Sequence, residues 1–227
     1  MQLTVKNKPT VVFALANSES DHLPLLKEES SIVDKWLSPL HDKGLIEVYR
    51  DESTTTKELA SIINRFNERI RIFHYAGHAG GDKLLLEQGD AHAGGLAALF
   101  KLIAKDLVLI FLNGCSTLGQ VNRLMDLGIK AVIATSVPIA DGKAVAFSNS
   151  FYEALSSHKT LEEAFNFAAA ALSMEHNEVE QPGIIEFRSI VLEEEDHSEE
   201  LPWGLYVNED AGEVLNWKLP HNVFTAL

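Results

Sequence analysis

The sequence predicts an α/β fold in which a mostly parallel β-sheet lies between two layers of helices. Short, continuous apolar segments alternate along the chain with longer segments whose apolar residues recur at helical spacing. Strands that helices cover on both faces have this continuous apolar character, and parallel strands need helical crossovers between them. We therefore expect a three-layer α/β/α sandwich.

Apolar segments of five to seven residues are the predicted strands of this sheet. They cover residues 10–16, 45–49, 70–76, 107–112 and 131–135. Residues 83–93 instead combine two short segments with a turn sequence at Gln88 and Gly89, which predicts a small β-hairpin.

Helical periodicity fills the intervals between the predicted strands. Residues 25–40 place their apolar side chains on one helical face. Thr55 with Glu58, and Thr160 with Glu163, have the spacing of a capping box and predict helix starts there. The last two predicted helices cover residues 142–157 and 161–174. The acidic residues 193–200 are predicted to form a solvated loop.

Composition and charge favour a single globular domain, residues 1–227, without internal repeats or linkers. Of its residues, 19 are basic and 33 acidic, which gives a formal charge of −14. This balance opposes binding to nucleic acid or to an anionic membrane, and no apolar run approaches the roughly 20 residues that span a bilayer. One cysteine excludes an internal disulfide, and the N-terminus lacks a signal-peptide core, so we expect a cytoplasmic protein.

Reactive side chains follow three of the predicted strands. His78 comes just after the third strand, Cys115 after the fourth and Asp141 after the fifth. The carboxyl ends of parallel strands share one edge of the sheet, where open α/β sheets build their sites. We therefore expect these three residues to converge.

A cysteine nucleophile acts as its thiolate, which a helix N-terminus or a neighbouring imidazolium favours. A helix predicted to begin near Thr117 offers the first of these to Cys115, and His78 offers the second. Gly77 and Gly114 allow the backbone to approach a bound peptide closely. The pattern predicts a Cys–His pair for nucleophilic catalysis.

Two other interpretations remain open for these residues. A lone cysteine is often simply buried, and a histidine after a strand often satisfies local backbone groups. Alternatively, His74 and His78 have a zinc-ligand spacing, with Cys115 and His92 as further ligands. That spacing serves zinc when it falls on a helix, whereas here it spans a strand end and a glycine loop. His74 precedes the motif within the strand, where its side chain points to an alternate face, and is therefore predicted to be structural.

The motifs around His78 and Cys115 resemble those of the caspase-like peptidases. The blocks HYAGHAGG and FLNGCSTLG, each preceded by a predicted strand, are similar to the histidine and cysteine motifs of the CHAT domain, a module related to separase. The later stretch from GIKAVIATS to TLEEAF is similar to the same family. The resemblance extends from about residue 10 to residue 172. It implies a caspase-hemoglobinase fold.

The resemblance also implies roles for individual residues. Cys115 is the implied nucleophile and His78 its general base, with no metal or cofactor. The backbone N–H groups of Ala79 and Cys115 are the implied oxyanion hole, although many relatives have glycine where this chain has Ala79. Asp141 lies where separase-like relatives receive a basic side chain and is an implied substrate-binding residue, beside Gly77 and Gly114, which the glycine pattern already predicts to contact substrate. Asp141 with Gly142 is also a good turn and helix-cap sequence.

The implied activity is that of a cysteine endopeptidase that cuts a protein or peptide after Arg or Lys. By analogy with the family, the chain is expected to be an activated effector module of a longer protein in bacterial signalling or defence, with a fused or separate sensor. Self-cleavage near residues 193–200 is an open question. The alternatives are a catalytically silent scaffold that binds or oligomerises, and a cysteine hydrolase with a non-peptide substrate.

Overall fold

The structure of the chain is a computed structural model. It describes residues 8–17, 23–176, 184–187 and 202–221. In chain order the strands are β1 (Thr10–Ala16), β2 (Glu47–Asp51), β3 (Ile70–Gly77), β4 (Ala79–Gly80), β5 (Lys83–Leu85), β6 (Asp90–His92), β7 (Leu109–Asn113), β8 (Ala131–Thr135), β9 (Ile184–Phe187) and β10 (Trp203–Asn208). The α-helices are α1 (Leu26–Asp42), α2 (Thr56–Arg65), α3 (Ala93–Lys101), α4 (Val121–Met125), α5 (Asp141–Ser156) and α6 (Leu161–His176). Short 3-10 helices cover Asn67–Arg69, Thr117–Gln120 and Glu209–Asn216.

The central sheet has seven strands in the order β2-β1-β3-β7-β8-β10-β9. The first five strands in that order are parallel, β10 runs antiparallel to β8, and β9 is parallel to β10. The strands β4, β5 and β6 form a separate small antiparallel sheet. The sheet is therefore mixed and mostly parallel, as predicted.

Helices cover both faces of the sheet. Side chains of α1, α5 and α6 pack with Val11, Phe13 and Phe111 on one face. Side chains of α2, α3 and α4 pack with Val12 and Tyr75 on the other. Alternate residues of the same strand thus enter different cores, which explains why these strands are apolar throughout. The three-layer α/β/α prediction is confirmed.

Most predicted elements are present, with shifts of a few residues at their ends. The strand predicted over residues 45–49 begins only at Glu47, because the N–H of Leu45 bonds the carbonyl of Leu40 to close α1. Similarly, the N–H of Leu107 bonds the carbonyl of Ile103, so β7 starts two residues later than predicted. Apolar connections that complete the core explain both shifts.

The predicted hairpin and both capping boxes are confirmed. The turn of the hairpin closes with a bond from the N–H of Leu86 to the carbonyl of Gly89. At the start of α6, the N–H of Glu163 donates to the Thr160 hydroxyl at 3.1 Å, and the N–H of Thr160 donates to Glu163 Oε2 at 2.8 Å. The equivalent pair opens α2. The acidic loop predicted over residues 193–200 lies outside the described residues.

Among the described residues, none of the helices is both long and apolar enough to cross a membrane.

Candidate active site

The carboxyl ends of β3 and β7 place His78 and Cys115 at one edge of the sheet. These strands are parallel neighbours, and their register pairs Ala76 with Asn113. His78 and Cys115 each lie two residues beyond a member of that pair, so both leave the sheet at the same level. The convergence predicted from strand order is present for this pair.

The loops that carry these two residues are in direct contact. At Gly114, an added Cβ atom would lie 2.7 Å from the carbonyl oxygen of Gly77 and 2.8 Å from the Cβ of Ala79. At Gly77, it would lie 2.6 Å from the carbonyl oxygen of Ala16. Such distances leave no room for a side chain at either position. Gly114 therefore allows the cysteine loop to pack directly against the histidine loop, and Gly77 allows the histidine loop to pack against the end of β1.

Hydrogen bonds to β8 fix the backbone on both sides of Cys115. The hydroxyl of Thr135 donates to the carbonyl of Gly114, and its N–H donates to the Thr117 hydroxyl at 2.9 Å. Between them Ser116 adopts a left-handed conformation, with φ 51° and ψ 46°. Residues other than glycine adopt it rarely and at an energetic cost, so it persists only where neighbours enforce it. This strained residue follows the candidate nucleophile directly.

The helical segment predicted after Cys115 is present, first as the 3-10 turn and then as α4. The side chain of Gln120 donates from Nε2 to the carbonyl of Gly80 at 2.9 Å and to that of Lys83 at 3.3 Å. The small sheet that follows His78 is thereby attached to the segment that follows Cys115.

A narrow cleft, with a cavity volume of about 30 Å³, lies at this edge of the sheet. Five residues assigned to the site from sequence line it, namely Gly77, His78, Gly114, Cys115 and Asp141. Ala79 does not line it but lies against Gly114. The Sγ atom of Cys115 is 3.8 Å from the carbonyl oxygen of Ile139, and the side chains of both Cys115 and His78 are partly exposed. The thiol and the imidazole are therefore accessible to a ligand in the same cleft.

The loop of His78 is held from below by Tyr75. The phenol oxygen lies 2.6 Å from the carbonyl oxygens of both His78 and Leu85, and its hydrogen serves these two acceptors. Burial raises the pKa of Tyr75 far above its ordinary value, against a smaller lowering by the bond to Leu85. The phenol therefore stays protonated and remains a donor.

Asp141 is the first residue of α5 and partly exposed. The N-cap position is occupied by Ala140, and no side-chain cap bond is present there. Asp141 is therefore not the N-cap residue of α5, although its sequence context allowed that role. Its carboxylate stands at the positive end of the helix and lines the cleft with Cys115.

A buried polar cluster lies at the floor of the cleft. The Oε1 atom of Glu29 accepts bonds from Asn113 Nδ2 at 2.7 Å and from Ser148 Oγ at 2.5 Å. Asn113 also accepts a bond from the indole N–H of Trp203 at 3.1 Å. Through this carboxylate, α1 is bonded to the end of β7 and to α5. Those elements carry Cys115 and Asp141.

His74 belongs to this cluster and not to the cleft. Its Nδ1 is 3.0 Å from the Tyr152 hydroxyl, and the ring is completely buried. Its Nε2 lies 3.1 Å from Glu29 Oε1, but the two atoms are not aligned for a hydrogen bond. Burial, with a further contribution from Glu29, raises the pKa of Tyr152, which stays a neutral phenol. The structural role predicted for His74 is confirmed.

The described residues contain no cluster of three or more His, Cys, Asp or Glu side chains placed to hold a metal ion. The zinc set considered from sequence is not assembled, since His74 points into the core while His78 lines the cleft and His92 is exposed on β6.

Glu29 and Asn113 line the candidate cleft, although neither was predicted from the sequence. Glu29 sits in a helix with three other glutamates or aspartates, and its burial at 3% exposure is the property that distinguishes it. Asn113 directly precedes Gly114 and Cys115. It is a polar residue at the end of an otherwise apolar strand, and this feature is visible in the sequence and could have indicated a role. Only the folded structure shows that the two bond each other.

Comparison with known proteins finds a family whose sequence profile matches this chain and solved structures that share its fold. The sequence profile of the CHAT domain matches residues 2–215. The Arg-specific cysteine proteinase gingipain R has a TM-score of 0.61 at 14% identity, over 94% of this chain and 48% of that one. The complex of the pro- and mature domains of RgpB from Porphyromonas gingivalis has a TM-score of 0.59 at 13% identity, over 94% and 49%. No curated protein sequence matches the chain.

This chain spans about half the length of these gingipain chains, and at such low identity the likeness shows the fold alone. That fold is the caspase-hemoglobinase fold. The profile match covers nearly the whole sequence, from before β1 into the last helical segment. The chain belongs to the CHAT domain family.

Proposed function

We propose that this chain is a cysteine endopeptidase that cuts peptide bonds after a basic residue. The observation that carries the proposal is the shared cleft. The thiol of Cys115 and the imidazole of His78 line it together, where their two loops touch. A nucleophile and a base on adjacent rigid strand ends are the arrangement that acyl transfer needs.

In this reaction His78 takes the thiol proton, and Sγ of Cys115 attacks the carbonyl carbon of the substrate. A C–S bond forms as the carbonyl becomes an oxyanion. The oxyanion then collapses, the C–N bond breaks, and the imidazolium gives its proton to the leaving amine. Water, deprotonated by His78, attacks the resulting thioester. The C–S bond breaks, the carboxylic acid leaves, and the imidazolium of His78 returns its proton to the sulfur, which restores the thiol.

The backbone N–H groups of Ala79 and Cys115 are the proposed donors to the oxyanion. The N–H of Leu85 bonds the carbonyl of His78, and the next pair in this ladder is Ala79 with Leu84. Bonded and non-bonded pairs alternate along an antiparallel ladder, so the N–H of Ala79 is expected to point away from β5. A donor of this kind contributes on the order of 10²–10³ to the rate.

The preference for a basic residue rests on Asp141. Its carboxylate lines the cleft beside Cys115, where a bidentate pair with arginine would form in a partly desolvated site. The gingipain with the same fold is Arg-specific. The net charge of −14 also attracts a basic segment.

The wider role follows by analogy with the family. We infer an effector domain of the cytoplasm, active in bacterial signalling or defence, whose site an attached or separate sensor opens. The cleft volume of about 30 Å³ holds only a few waters, so an extended peptide requires the cleft to widen. Such widening is what an activator would supply.

Hydrolysis of fluorogenic peptides tests the proposal. The wild-type protein is expected to cleave after Arg and Lys but not after Asp. Cys115→Ala and His78→Ala are expected to abolish turnover. Asp141→Ala is expected to remove cleavage after Arg while the circular dichroism spectrum stays unchanged.

Cleavage after Asp alone would keep the peptidase and remove Asp141 from the pocket. Activity that survives in Cys115→Ala would contradict the mechanism. A folded wild-type protein that cleaves no peptide, with or without candidate activators, would favour the silent scaffold.

A further inference from the structure

Glu29 is a buried carboxylate that reaches the candidate cleft from a different direction than Asp141. It lies in the first turn of α1, only 3% of its surface is exposed, and it lines the cleft together with His78 and Cys115. Carboxylates are almost never this buried unless other groups pair with them. The two carboxylate oxygens of Glu29 differ in their partners.

The Oε1 atom of Glu29 is fully engaged on the core side. It accepts the bonds from Asn113 and Ser148, and His74 lies 3.1 Å away on the same side. Asn113 is itself fixed by the Trp203 indole and by the carbonyl of Ala144. The carboxylate is thus locked in one orientation before any ligand arrives.

The Oε2 atom has no such partners. Within the part of the chain that the structure describes, no donor bonds to it, although both bonds to Oε1 are present. It is also not among the buried side-chain atoms that lack a partner, so it is open to the cleft that Glu29 lines. A buried side chain, only 4% exposed, with one fixed oxygen and one open oxygen is a preorganised hydrogen-bond acceptor.

We propose that Glu29 is a specificity-determining residue whose Oε2 accepts a hydrogen bond from the guanidinium of a substrate arginine. This inference rests on the proposed function and adds a second recognition group, deeper than Asp141. A guanidinium presents five N–H donors in a plane, enough for both carboxylates at once, whereas an ammonium is a point charge on a flexible stem. The pair of carboxylates therefore favours Arg over Lys.

The lining of the cleft suits the same ligand once the cleft has widened to admit it. Apolar residues form its walls, namely Leu23, Leu25, Leu26, Ile139, Ala144 and Val145. Such walls suit the methylene stem of arginine, and the charged guanidinium would then bind Glu29 at the floor of the cleft.

The test measures protection of Cys115 from iodoacetamide, which requires no turnover. Nα-acetylarginine amide is the ligand, and Nα-acetylcitrulline amide is its neutral isostere. In the wild type, the arginine ligand is expected to protect Cys115 at concentrations about 100-fold lower than the citrulline ligand, since two carboxylates bind the guanidinium. Glu29→Gln is expected to lower this ratio by about 10-fold, the factor for one charge-assisted hydrogen bond, and to leave the part that Asp141 supplies, since its amide oxygen replaces Oε1 and its NH₂ group faces the cleft.

The matched control is Glu28→Gln, which makes the same charge change on the exposed neighbour in α1 and is expected to keep the wild-type ratio. Equal loss of protection by both ligands in Glu29→Gln would show a positioning role only and overturn the proposal. An unchanged ratio in that variant would overturn it as well. Because protection is read without hydrolysis, a silent peptidase with intact arginine selectivity would remove the proposed function and keep this inference.

Discussion

At the scale of single residues, Tyr75 shows how the core controls the candidate base. One hydroxyl serves the carbonyls of His78 and Leu85, and burial keeps it protonated. Tyr75→Phe leaves both acceptors without this donor. We expect a loss of about 1 kcal/mol in the free energy of unfolding, the net contribution of a hydrogen bond, since the N–H of Leu85 still bonds the His78 carbonyl. We also expect a fall in kcat as the His78 loop loosens.

Urea unfolding and peptide hydrolysis check this expectation. Tyr206→Phe is the control, since its hydroxyl bonds none of the residues that the structure describes and it lies on β10, distant along the sheet from β3. Equal effects of the two substitutions on kcat would show that Tyr75 does not act through His78.

Residues differ in how far their roles could be predicted from sequence. Cys115 and His78 each follow an apolar strand within a glycine-rich motif, so their neighbours in sequence reveal them. Glu29 and Tyr75 gain their roles from partners in other elements. Nothing near Glu29 in sequence specifies that Ser148 and Asn113 donate to it. Such roles depend on packing and could not be predicted.

At the scale of elements, the start of α6 carries a testable cap. The bond from the Thr160 N–H lowers the pKa of Glu163, with burial opposing it and nearby lysines assisting. Thr160→Ala is expected to cost about 1 kcal/mol of unfolding free energy. Thr55→Ala at the start of α2 removes the equivalent cap and is expected to cost a similar amount.

The Glu163 contribution depends on pH. A lowered pKa in the folded state means that the carboxylate stabilises the fold above the ordinary value of 4.5, and that this stabilisation disappears as pH falls through the lowered pKa. The stability difference between wild type and Glu163→Gln is therefore expected to be present at neutral pH and to vanish in acid. A difference that stays constant across this range would contradict the cap.

The helices and strands also differ in how well they could be predicted from the sequence. The strands β1 and β8 match their predicted bounds, because each is a continuous apolar run with clear ends. The helix α3 was not predicted, since its AGGLAALFK sequence has two glycines and little amphipathic contrast. The strand β10 was also missed. It pairs antiparallel with β8, and the local sequence of β10 does not specify this pairing, which depends on the tertiary fold.

At the scale of the whole molecule, the fold places four elements around one cleft. The strands β3 and β7 bring His78 and Cys115, α5 brings Asp141, and α1 brings Glu29. The buried bonds of Glu29 connect α1, β7 and α5, so the shape of the cleft depends on the packing of these layers. A partner that shifts α1 or α5 would change the cleft directly, which is a physical route for activation.

The most direct test of the central claim is mass spectrometry after exposure to acyloxymethyl-ketone peptide probes ending in Arg or in Asp. The Cys115→Ala and His78→Ala variants are the controls. We expect the Arg probe to add one covalent label, located on Cys115, and both variants to lose it. Labelling of another residue, or labelling of Cys115 that persists unchanged without His78, would contradict a Cys115–His78 catalytic pair.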